Sequence, residues 1–334
     1  MIEISKRANG CRESPTLAIT QKANSLKASG KDVVSFAAGE PDFEPPEIIQ
    51  KAAIEAIGAR GSGKYVSSSG ISKLKEEIVN KFRKDNGIEY SISDISVNNG
   101  AKSSLHNILQ TIVNEGDEVV VPKPYWVSYP EMIKLAGGDA VFADTDKEFR
   151  LDSKSIEKAI GPKTKAIIIN SPNNPSGAVI SEIELGKIAS LAVEKGIYVI
   201  SDEIYEKIYY GKKPVSIASL SPEIKGITFT GNGMSKSHAI PGWRLGYVAG
   251  PAKEMKALNN VQSQSSGNVC GPVQSSAAVS LNHADDFIRG AVSEFRRRRD
   301  FLVAELNKIP GVNCNLPDGA FYLFPKIPIA DDWE

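Results

Sequence analysis

The hydrophobic positions of the chain fall into two alternating patterns. Short runs of β-branched and other apolar residues are separated by longer segments in which apolar residues recur every three or four positions. The first pattern is typical of buried strands and the second of amphipathic helices. Their alternation predicts an α/β fold with a parallel sheet of seven strands between helices on both faces. The predicted strands are 95–98, 118–121, 140–143, 166–170, 197–201, 227–230 and 245–249.

Two of the predicted helices have clear boundaries in the sequence. One begins at Ala101, directly after a strand, and keeps an apolar face as far as Ile112. The other begins after Ser181, and Glu184 three residues later predicts a capping box in which each side chain caps the other's backbone N–H. Gly196 is expected to end this second helix.

Beyond Pro251 the pattern changes to longer helices, which predicts a second, smaller domain. One helix runs through Met255, another covers 284–306, and 319–324 has the pattern of a strand. We therefore expect an N-terminal arm and part of the small domain in 1–44, a large domain in 45–280, and the small domain in 281–334. The arm is expected to pack with the C-terminal part.

Composition and charge narrow the class of partner. Lys+Arg and Asp+Glu each number 40, so the zero net charge does not favour nucleic acid or an anionic membrane. A small molecule is the expected partner. Three widely separated cysteines predict reduced thiols, and the absence of an apolar N-terminal core or a long apolar run leads us to expect a cytoplasmic protein.

Two features are weak candidates for chemistry. The basic run 296–299 is expected to be a solvated helix face, because the protein as a whole is neutral. The three histidines, His106, His238 and His283, lack the spacing of metal ligands and do not suggest a Ser-His-Asp triad. We therefore predict neither a metal site nor a triad.

A stronger constellation lies where the predicted strands end, the edge at which open α/β sheets bind ligands. Asp202 follows one strand, and Lys236, preceded by Ser235, follows another, with Arg244 eight residues later. A lysine amine can form an imine with an aldehyde, and an arginine suits a phosphate dianion. Pyridoxal phosphate requires both groups.

Three further segments at strand ends could complete such a site. Asn174 lies in a turn with two prolines and can project an amide towards a ring hydroxyl. The helix N-terminus at Gly100, Ala101 and Lys102 offers backbone N–H groups to a phosphate. Tyr125 and Trp126 offer flat surfaces for an aromatic ring.

At these positions the chain resembles the class I aminotransferases of the aspartate aminotransferase fold, and looks most similar to the bacterial aspartate and prephenate branch. The likeness covers nearly the whole chain. The motifs that carry it are 39–43 (GEPDF), 124–130 (PYWVSYP), 170–177 (NSPNNPSG), 201–205 (SDEIY), 235–236 (SK), 242–246 (GWRLG) and 319–322 (GAFY).

The resemblance implies a role for each residue of the site. Lys236 would carry pyridoxal 5'-phosphate as a Schiff base, and Asp202 would pair with its ring nitrogen. Asn174 and Tyr205 would contact the ring oxygen. The remaining implied contacts are Arg244, Gly100, Ala101, Lys102 and Ser235 around the phosphate, Trp126 on the ring, Gly39 beside the substrate carboxylate, and Tyr65 on the phosphate of the partner subunit. The resemblance thus also implies a homodimer.

Two departures from the family pattern bear on these expectations. Gly233 and Met234 carry no hydroxyl where the family often supplies one to the phosphate, which leaves Ser235 alone. The family also continues for several dozen residues beyond the Gly-Ala-Phe-Tyr strand, and that tail carries the arginine for the substrate α-carboxylate. We expect the 334 residues to be part of a longer chain. The alternatives are that the protein binds its substrate without that arginine, or that it has no transaminase activity.

The resemblance implies transfer of an amino group from aspartate or glutamate to oxaloacetate, 2-oxoglutarate or, as a further candidate, prephenate, by a ping-pong mechanism. Arg12 is either the group for the distal carboxylate or a surface residue of the arm. Another reaction on the same cofactor, such as β-elimination or transamination of aromatic or kynurenine-type substrates, stays open. So does cofactor binding without turnover.

Overall fold

A computed structural model describes residues 2–36 and 38–328 of the chain. The elements follow the alternation of the sequence, and all seven predicted strands are present with boundaries within three residues of the expected ones. The strands are β1 (Ile95–Asn98), β2 (Glu118–Pro122), β3 (Asp139–Ala143), β4 (Thr164–Asn170), β5 (Tyr198–Asp202), β6 (Thr228–Gly233) and β7 (Gly246–Ala249).

Twelve α-helices lie in the described part of the chain, and a π-helical turn over Phe82–Asn86 extends the fourth. None of these helices is both long and apolar enough to cross a lipid bilayer. Their bounds are α1 Lys6–Gly10, α2 Pro15–Ala28, α3 Glu47–Gly58, α4 Ser72–Lys81, α5 Ala101–Ile112, α6 Ser128–Leu135, α7 Ser153–Ala159, α8 Glu182–Lys195, α9 Pro222–Lys225, α10 Ala252–Gln264, α11 Gly271–Ser280 and α12 Asp285–Leu306.

The seven strands form one sheet in the order β1-β7-β6-β5-β4-β2-β3. Five neighbouring strands run parallel to one another, in the order β3, β2, β4, β5 and β6. Strand β7 is antiparallel to both of its neighbours, β6 and β1. Successive side chains of a strand point to opposite faces, so Val119 and Val121 pack with α5, α6 and α10 while Val120 packs with α7 and α8. The central strands are therefore buried on both faces, as the apolar runs predicted, whereas the edge strand β3 is partly exposed.

Helix α5 begins where Gly100 has a φ of 86°, a left-handed conformation that glycine adopts without strain. Helix α8 begins at Ser181, whose Oγ accepts from the Glu184 N–H at 3.3 Å, and ends at Gly196 as expected. The predicted capping box is only half formed. The Glu184 carboxylate accepts instead from the Ser153 N–H at 2.8 Å and pairs with Lys187.

The prediction of a strand over 319–324 is wrong. Only Gly319 forms a β-bridge, to Tyr209, and Ala320 adopts a φ of 56°, which bends the chain out of the extended conformation. The backbone groups of 318 and 320 bond to the 208–210 segment instead. This bend directs the following aromatic residues towards the carboxyl end of the sheet.

The arm packs differently from the expectation in its first part. The Lys134 ammonium of α6 donates to the Gly10 carbonyl at 2.8 Å, so α1 lies on the large body of helices around the sheet. The end of the arm contacts the C-terminal part, where Phe43 packs against Phe287 and Phe295 of α12. The boundaries of the two domains stay a prediction.

Candidate active site

The predicted residues converge on one cleft of about 1270 Å³ at the carboxyl end of the sheet. Its walls come from the strand ends, from the 38–42 segment of the arm and from α12. The sequence-predicted residues that line it are Gly39, Ala101, Lys102, Tyr125, Trp126, Asn174, Asp202, Tyr205, Ser235, Lys236 and Arg244. Gly100 lies directly behind Arg244.

Arg244 reaches this edge because β7 runs antiparallel to its neighbours. The residue precedes β7, so the reversed strand direction brings it to the edge where the parallel strands end. Its guanidinium donates to the Pro241 carbonyl at 2.9 Å and the Asn99 carbonyl at 3.3 Å. A Cβ on Gly100 would lie 2.5 Å from the guanidinium, so only glycine allows this approach. Arg244 therefore lies beside the N-terminus of α5.

The first turn of α5 retains donors for an anion. Ser103 and Ser104 bond their N–H groups to the Gly100 carbonyl at 2.9 and 3.2 Å. Ala101 and Lys102, which line the cleft, have no such bond within the described part of the chain. The partial positive charge of a helix N-terminus and the Arg244 guanidinium favour a phosphate group here.

The Lys102 side chain lies near the same end of the cleft. Its ammonium is 4.9 Å from the centre of the Trp126 ring. Burial and then the positive charge of Arg244 lower the pKa of Lys102. An anion bound between these groups would remove the repulsion.

Asp202 is a buried carboxylate at the end of β5. Its Oδ2 accepts from the Tyr129 hydroxyl at 2.7 Å, and its Oδ1 accepts from the Ile204 N–H at 3.3 Å. Burial raises the pKa of Asp202, although these two hydrogen bonds and the Lys236 charge oppose the shift. A cationic ring N–H bound in the cleft would stabilise the ionised carboxylate.

Lys236 carries its amine into the same cleft. Its Nζ donates to the Gly39 carbonyl at 2.5 Å and lies 6.0 Å from the centre of the Tyr205 ring. Burial lowers the pKa of Lys236 to about 8 against the opposing charge of Glu40, and the Arg244 charge adds to the lowering. A lysine with this pKa is partly neutral near physiological pH and can act as a nucleophile or base.

Asn174 and Tyr205 meet at a third group, the Tyr322 hydroxyl. The Tyr205 and Tyr322 oxygens are 2.5 Å apart, and the Asn174 amide donates to Tyr322 at 3.5 Å. Asn170 holds the segment by accepting from the Asn174 N–H at 2.7 Å and donating to the Asp202 carbonyl at 2.9 Å. Two phenols and an amide thus face one point of the cleft.

Sequence reasoning missed two members of this arrangement, Tyr129 and Tyr322. Both lie in motifs that the sequence analysis quoted, so their positions were available although their roles were not. Tyr129 follows Trp126 by three residues, a spacing that places both side chains on one side of a helical turn. Tyr322 reaches the site only through the bend at Ala320, which the strand prediction excluded.

Two predicted residues lie elsewhere. Arg12 is exposed on the arm, where its backbone N–H donates to Glu131 at 2.9 Å, and it does not line the cleft. Tyr65 is 97% exposed in the turn after α3. Tyr125 lines the cleft, but one face of its ring is occupied by Phe142, stacked at 5.0 Å.

The basic run 296–299 is only partly the solvated face that we expected. Arg298 pairs with Asp42 at 2.8 Å and also with Glu294, while Arg299 lies 4.4 Å from the Tyr210 ring centre. Both line the cleft, because α12 forms one of its walls. Among the described residues no group of three or more His, Cys, Asp or Glu side chains could hold a metal ion.

Comparison with known proteins identifies the family. A family model described as "Aminotransferase class I and II" matches residues 31–332. The chain belongs to the class I and II aminotransferases. It is 48% identical over 327 residues to a probable aspartate/prephenate aminotransferase of Aquifex aeolicus, a match that covers 96% of this chain and 83% of the relative.

Other relatives agree with this placement. This aminotransferase is 44% identical to the aspartate aminotransferase of Geobacillus stearothermophilus, with 97% and 83% of the two chains covered. The solved structure of the aspartate aminotransferase from Thermus thermophilus with maleate superposes with a TM-score of 0.93 at 39% identity, covering 97% and 85%. The expected fold and the aminotransferase function are confirmed.

The class I aminotransferases depend on pyridoxal phosphate, and the cleft has groups that suit each part of it. The helix N-terminus beside Arg244 suits the phosphate, and the amine of Lys236 suits the aldehyde. The buried carboxylate of Asp202 suits a protonated ring nitrogen. The residues present therefore fit the cofactor on their own chemistry.

Proposed function

We propose that this aminotransferase takes the amino group from aspartate or glutamate and gives it to a 2-oxo acid, with oxaloacetate, 2-oxoglutarate and prephenate as candidate acceptors. The names of the relatives from Aquifex aeolicus and Geobacillus stearothermophilus support this choice. The observation that carries the proposal is the cleft itself, in which Lys236, Asp202 and Arg244 lie at one edge of the sheet.

We assign the cofactor contacts as follows. Arg244, Ser235 and the backbone of the α5 N-terminus would hold the phosphate, and Asp202 would keep a proton on the ring nitrogen. Asn174 and Tyr205 would donate to the ring oxygen, and Trp126 would contact the ring. Bound pyridoxal phosphate supplies an electron sink for the substrate α-carbon.

Lys236 moves the proton. Its Nζ, once neutral, would take the proton from the substrate α-carbon and hold it for return, while the bound cofactor would supply the electron sink. The lowered pKa of Lys236 supports this role, because a fully protonated amine could not accept a proton. Gly39, Trp126 and Asn174 border the space for the substrate. Since the first product leaves before the second substrate binds, the kinetics are expected to be ping-pong.

The test is an absorbance spectrum of the purified protein with pyridoxal phosphate, before and after aspartate or glutamate, in the wild type and in Lys236→Ala. A visible band that forms in the wild type and bleaches with an amino donor supports both the cofactor and the reaction. Lys212→Ala is the control, because Lys212 is exposed and pairs with Glu182 outside the cleft. No band in the wild type would overturn the assignment of Lys236.

A donor panel separates the alternatives. Aspartate and glutamate should bleach the band faster than alanine, aromatic amino acids or kynurenine. Release of ammonia with a 2-oxo acid would indicate elimination instead, and a band that no donor bleaches would indicate binding without turnover. Alanine belongs in the panel because the solved alanine aminotransferase from Pyrococcus furiosus matches with a TM-score of 0.91 at 32% identity, covering 98% of this chain and 85% of that one.

We further propose a homodimer in which Tyr65 contacts the phosphate in the partner's cleft. The exposure of Tyr65, away from the cleft of its own chain, supports this assignment. Mixing the Lys236→Ala and Tyr65→Ala variants should restore activity by forming hybrid dimers with one intact site. No recovery from a mixture that exchanges subunits would contradict the shared site. The cytoplasmic location and the role of Arg12 stay predictions.

A further inference from the structure

The turn that follows β5 has two chemically different sides. Asp202 and Tyr205 line the cleft, whereas Glu203 and Glu206 point into the protein and do not line it. Glu203 is 5% exposed and the Glu206 side chain 11%. Two carboxylates are thus buried next to the two site residues that the turn carries, and the proposed reaction uses neither of them.

Glu206 is the centre of a closed polar cluster. It forms an ion pair with Lys81, whose side chain is 2% exposed. The Asn86 amide donates to its Oε2 at 2.9 Å and the Asn232 amide donates to its Oε1 at 2.8 Å. The Lys81 ammonium also donates to the side-chain amide oxygen Oδ1 of Asn86 at 2.8 Å, so the three side chains of Lys81, Asn86 and Glu206 contact one another.

The cluster keeps the Glu206 carboxylate ionised although it is buried. Burial favours the protonated form, but the charge and hydrogen bond of Lys81 outweigh it and lower the pKa of Glu206. Within the described residues Glu203 forms no ion pair of its own, and burial raises its pKa more than the Lys81 charge lowers it. Burial and then the negative charge of Glu206 raise its pKa to about 7, while the Ser216 and Ser201 hydroxyls donate to it at 2.6 and 2.9 Å.

Asn232 connects this cluster to the catalytic lysine. It lies in β6, which ends at Gly233, three residues before Lys236. Its own Oδ1 accepts from the Gly233 N–H at 2.7 Å, so the amide is fixed at both ends. The Glu206 carboxylate therefore holds the turn of Tyr205 on one side and the strand that leads to Lys236 on the other.

We propose that Glu206 is a positioning residue that sets the placement of Tyr205 relative to Lys236, with Asn232 as its link to β6 and Lys81 as its counter-ion. The proposal rests on the functions proposed above for Tyr205 and Lys236. It assigns Glu206 no contact with substrate or cofactor. Its effect is geometric, because hydrogen bonding of the Tyr205 phenol to a ring oxygen depends on sub-ångström placement.

The decisive variant is Asn232→Ala, which removes the link to β6 but leaves the buried Lys81–Glu206 ion pair intact. We expect kcat to fall about tenfold, as for one lost hydrogen bond, with KM changing less than about threefold. The pH midpoint of the visible band of bound pyridoxal phosphate should rise by about half a unit or more. The reason is that a hydrogen bond from Tyr205 to the ring oxygen stabilises the deprotonated form of the bound cofactor. When this bond is weaker, deprotonation requires a higher pH.

Two further variants make the test specific. Lys207→Gln removes a neighbouring ion pair of the same turn, to Asp85 at 2.7 Å, without touching β6, and should leave the midpoint unchanged. The double variant Lys81→Met/Glu206→Met removes the buried charge pair together with the acceptor for Asn232 and should shift the midpoint in the same direction as Asn232→Ala. The melting temperature of the cofactor-free protein is measured for each.

An Asn232→Ala variant with a lower melting temperature but an unchanged midpoint and kcat would overturn the proposal, since it would show a purely structural role. An equal shift in Lys207→Gln would overturn it as well. Failure of the proposed function would look different: the visible band would then persist in Lys236→Ala, whatever Asn232→Ala does.

Discussion

Lys236 illustrates how the surroundings of one side chain set its chemistry. In water a lysine amine is almost wholly protonated at neutral pH. In the cleft, burial lowers its pKa to about 8 against the opposing charge of Glu40, and Arg244 adds to the lowering. The carbonyl of Gly39 accepts from the amine and fixes its direction. The arm therefore contributes to the orientation of the Lys236 amine, although it is distant in sequence.

A pH dependence of cofactor capture follows from this pKa. Since the neutral amine attacks the aldehyde, the rate should rise roughly tenfold between pH 7 and 9, as the pKa of about 8 is crossed, and then level off. Stopped-flow absorbance of the cofactor-free protein mixed with pyridoxal phosphate measures this rate. A rate that continued to rise beyond pH 10 would indicate an unshifted lysine.

Tyr129 should matter through Asp202. Replacing it with phenylalanine removes the 2.7 Å hydrogen bond to Oδ2, which favours the ionised carboxylate. We expect Tyr129→Phe to lower kcat about 10- to 100-fold, as for a hydrogen bond to a charged group. Tyr198→Phe is the control, because its hydroxyl bonds to Glu254 and it lies at the opposite end of β5 from Asp202. Equal kcat in the two variants would contradict the role of Tyr129.

At the scale of elements, the strands could be predicted because their physics is local. A strand that is buried on both faces must be apolar at every position. The continuous apolar runs 119–121 and 166–169 are therefore recognisable as strands from the sequence alone. The direction of β7 could not be predicted, since an apolar run looks the same in either direction. The segment 319–324 was misread for a related reason, because its bend depends on contacts with the 208–210 segment.

The site was predictable to the extent that its residues lie at strand ends. Asp202, Asn174 and Lys236 follow strands and converge by topology alone. Tyr322 could not be located in this way, since it depends on the bend at Ala320. The partners of Arg298 likewise follow from how α12 packs, which a basic run does not indicate.

Gly246 tests the close approach between β7 and α5. A Cβ there would collide with the backbone of Gly100 and Ala101, which cannot move without displacing the α5 N-terminus. Gly246→Ala should therefore lower the free energy of unfolding by about 1–3 kcal/mol and weaken cofactor binding at least about tenfold. Thermal melting and titration with pyridoxal phosphate measure the two effects.

Gly242→Ala provides the matched control for this substitution. Gly242 lies in the same segment, and a Cβ there would meet nothing within 4 Å. It should retain both stability and cofactor affinity. If the two alanine variants behave alike, the tight contact at Gly246 does not define the phosphate end of the cleft.

At the scale of the whole molecule, the cleft lies between the sheet edge and α12, and the end of the arm joins them. Asp42 accepts from Arg298 at 2.8 and 3.0 Å, and the Arg298 guanidinium lies 5.5 Å from the Phe43 ring centre. The hydrogen bond and charge of Arg298 lower the pKa of Asp42, though burial opposes this. The Asp42–Arg298 ion pair therefore connects the segment that carries Gly39 to α12, the opposite wall of the cleft.

Breaking this pair should affect substrate binding more than stability. Its side chains are 38% and 62% exposed, so the ion pair contributes at most about 1 kcal/mol. We expect Arg298→Met to raise KM for the amino donor up to about fivefold and to change kcat less than about twofold. In Arg297→Met, which loses only an exposed pair with Glu294, KM should stay as in the wild type. An unchanged KM in Arg298→Met would exclude this role.

The reversed direction of β7 has a consequence for how a bound molecule leaves. Lys236 and Arg244 are eight residues apart on one chain reversal, with β6 before it and β7 after it. A ligand attached to both residues is bound at two points of one short segment. When one attachment breaks, the other keeps the ligand close to the broken one, at a high effective concentration. Dissociation then requires both attachments to fail together, and relative movement of other parts of the protein cannot pull them apart.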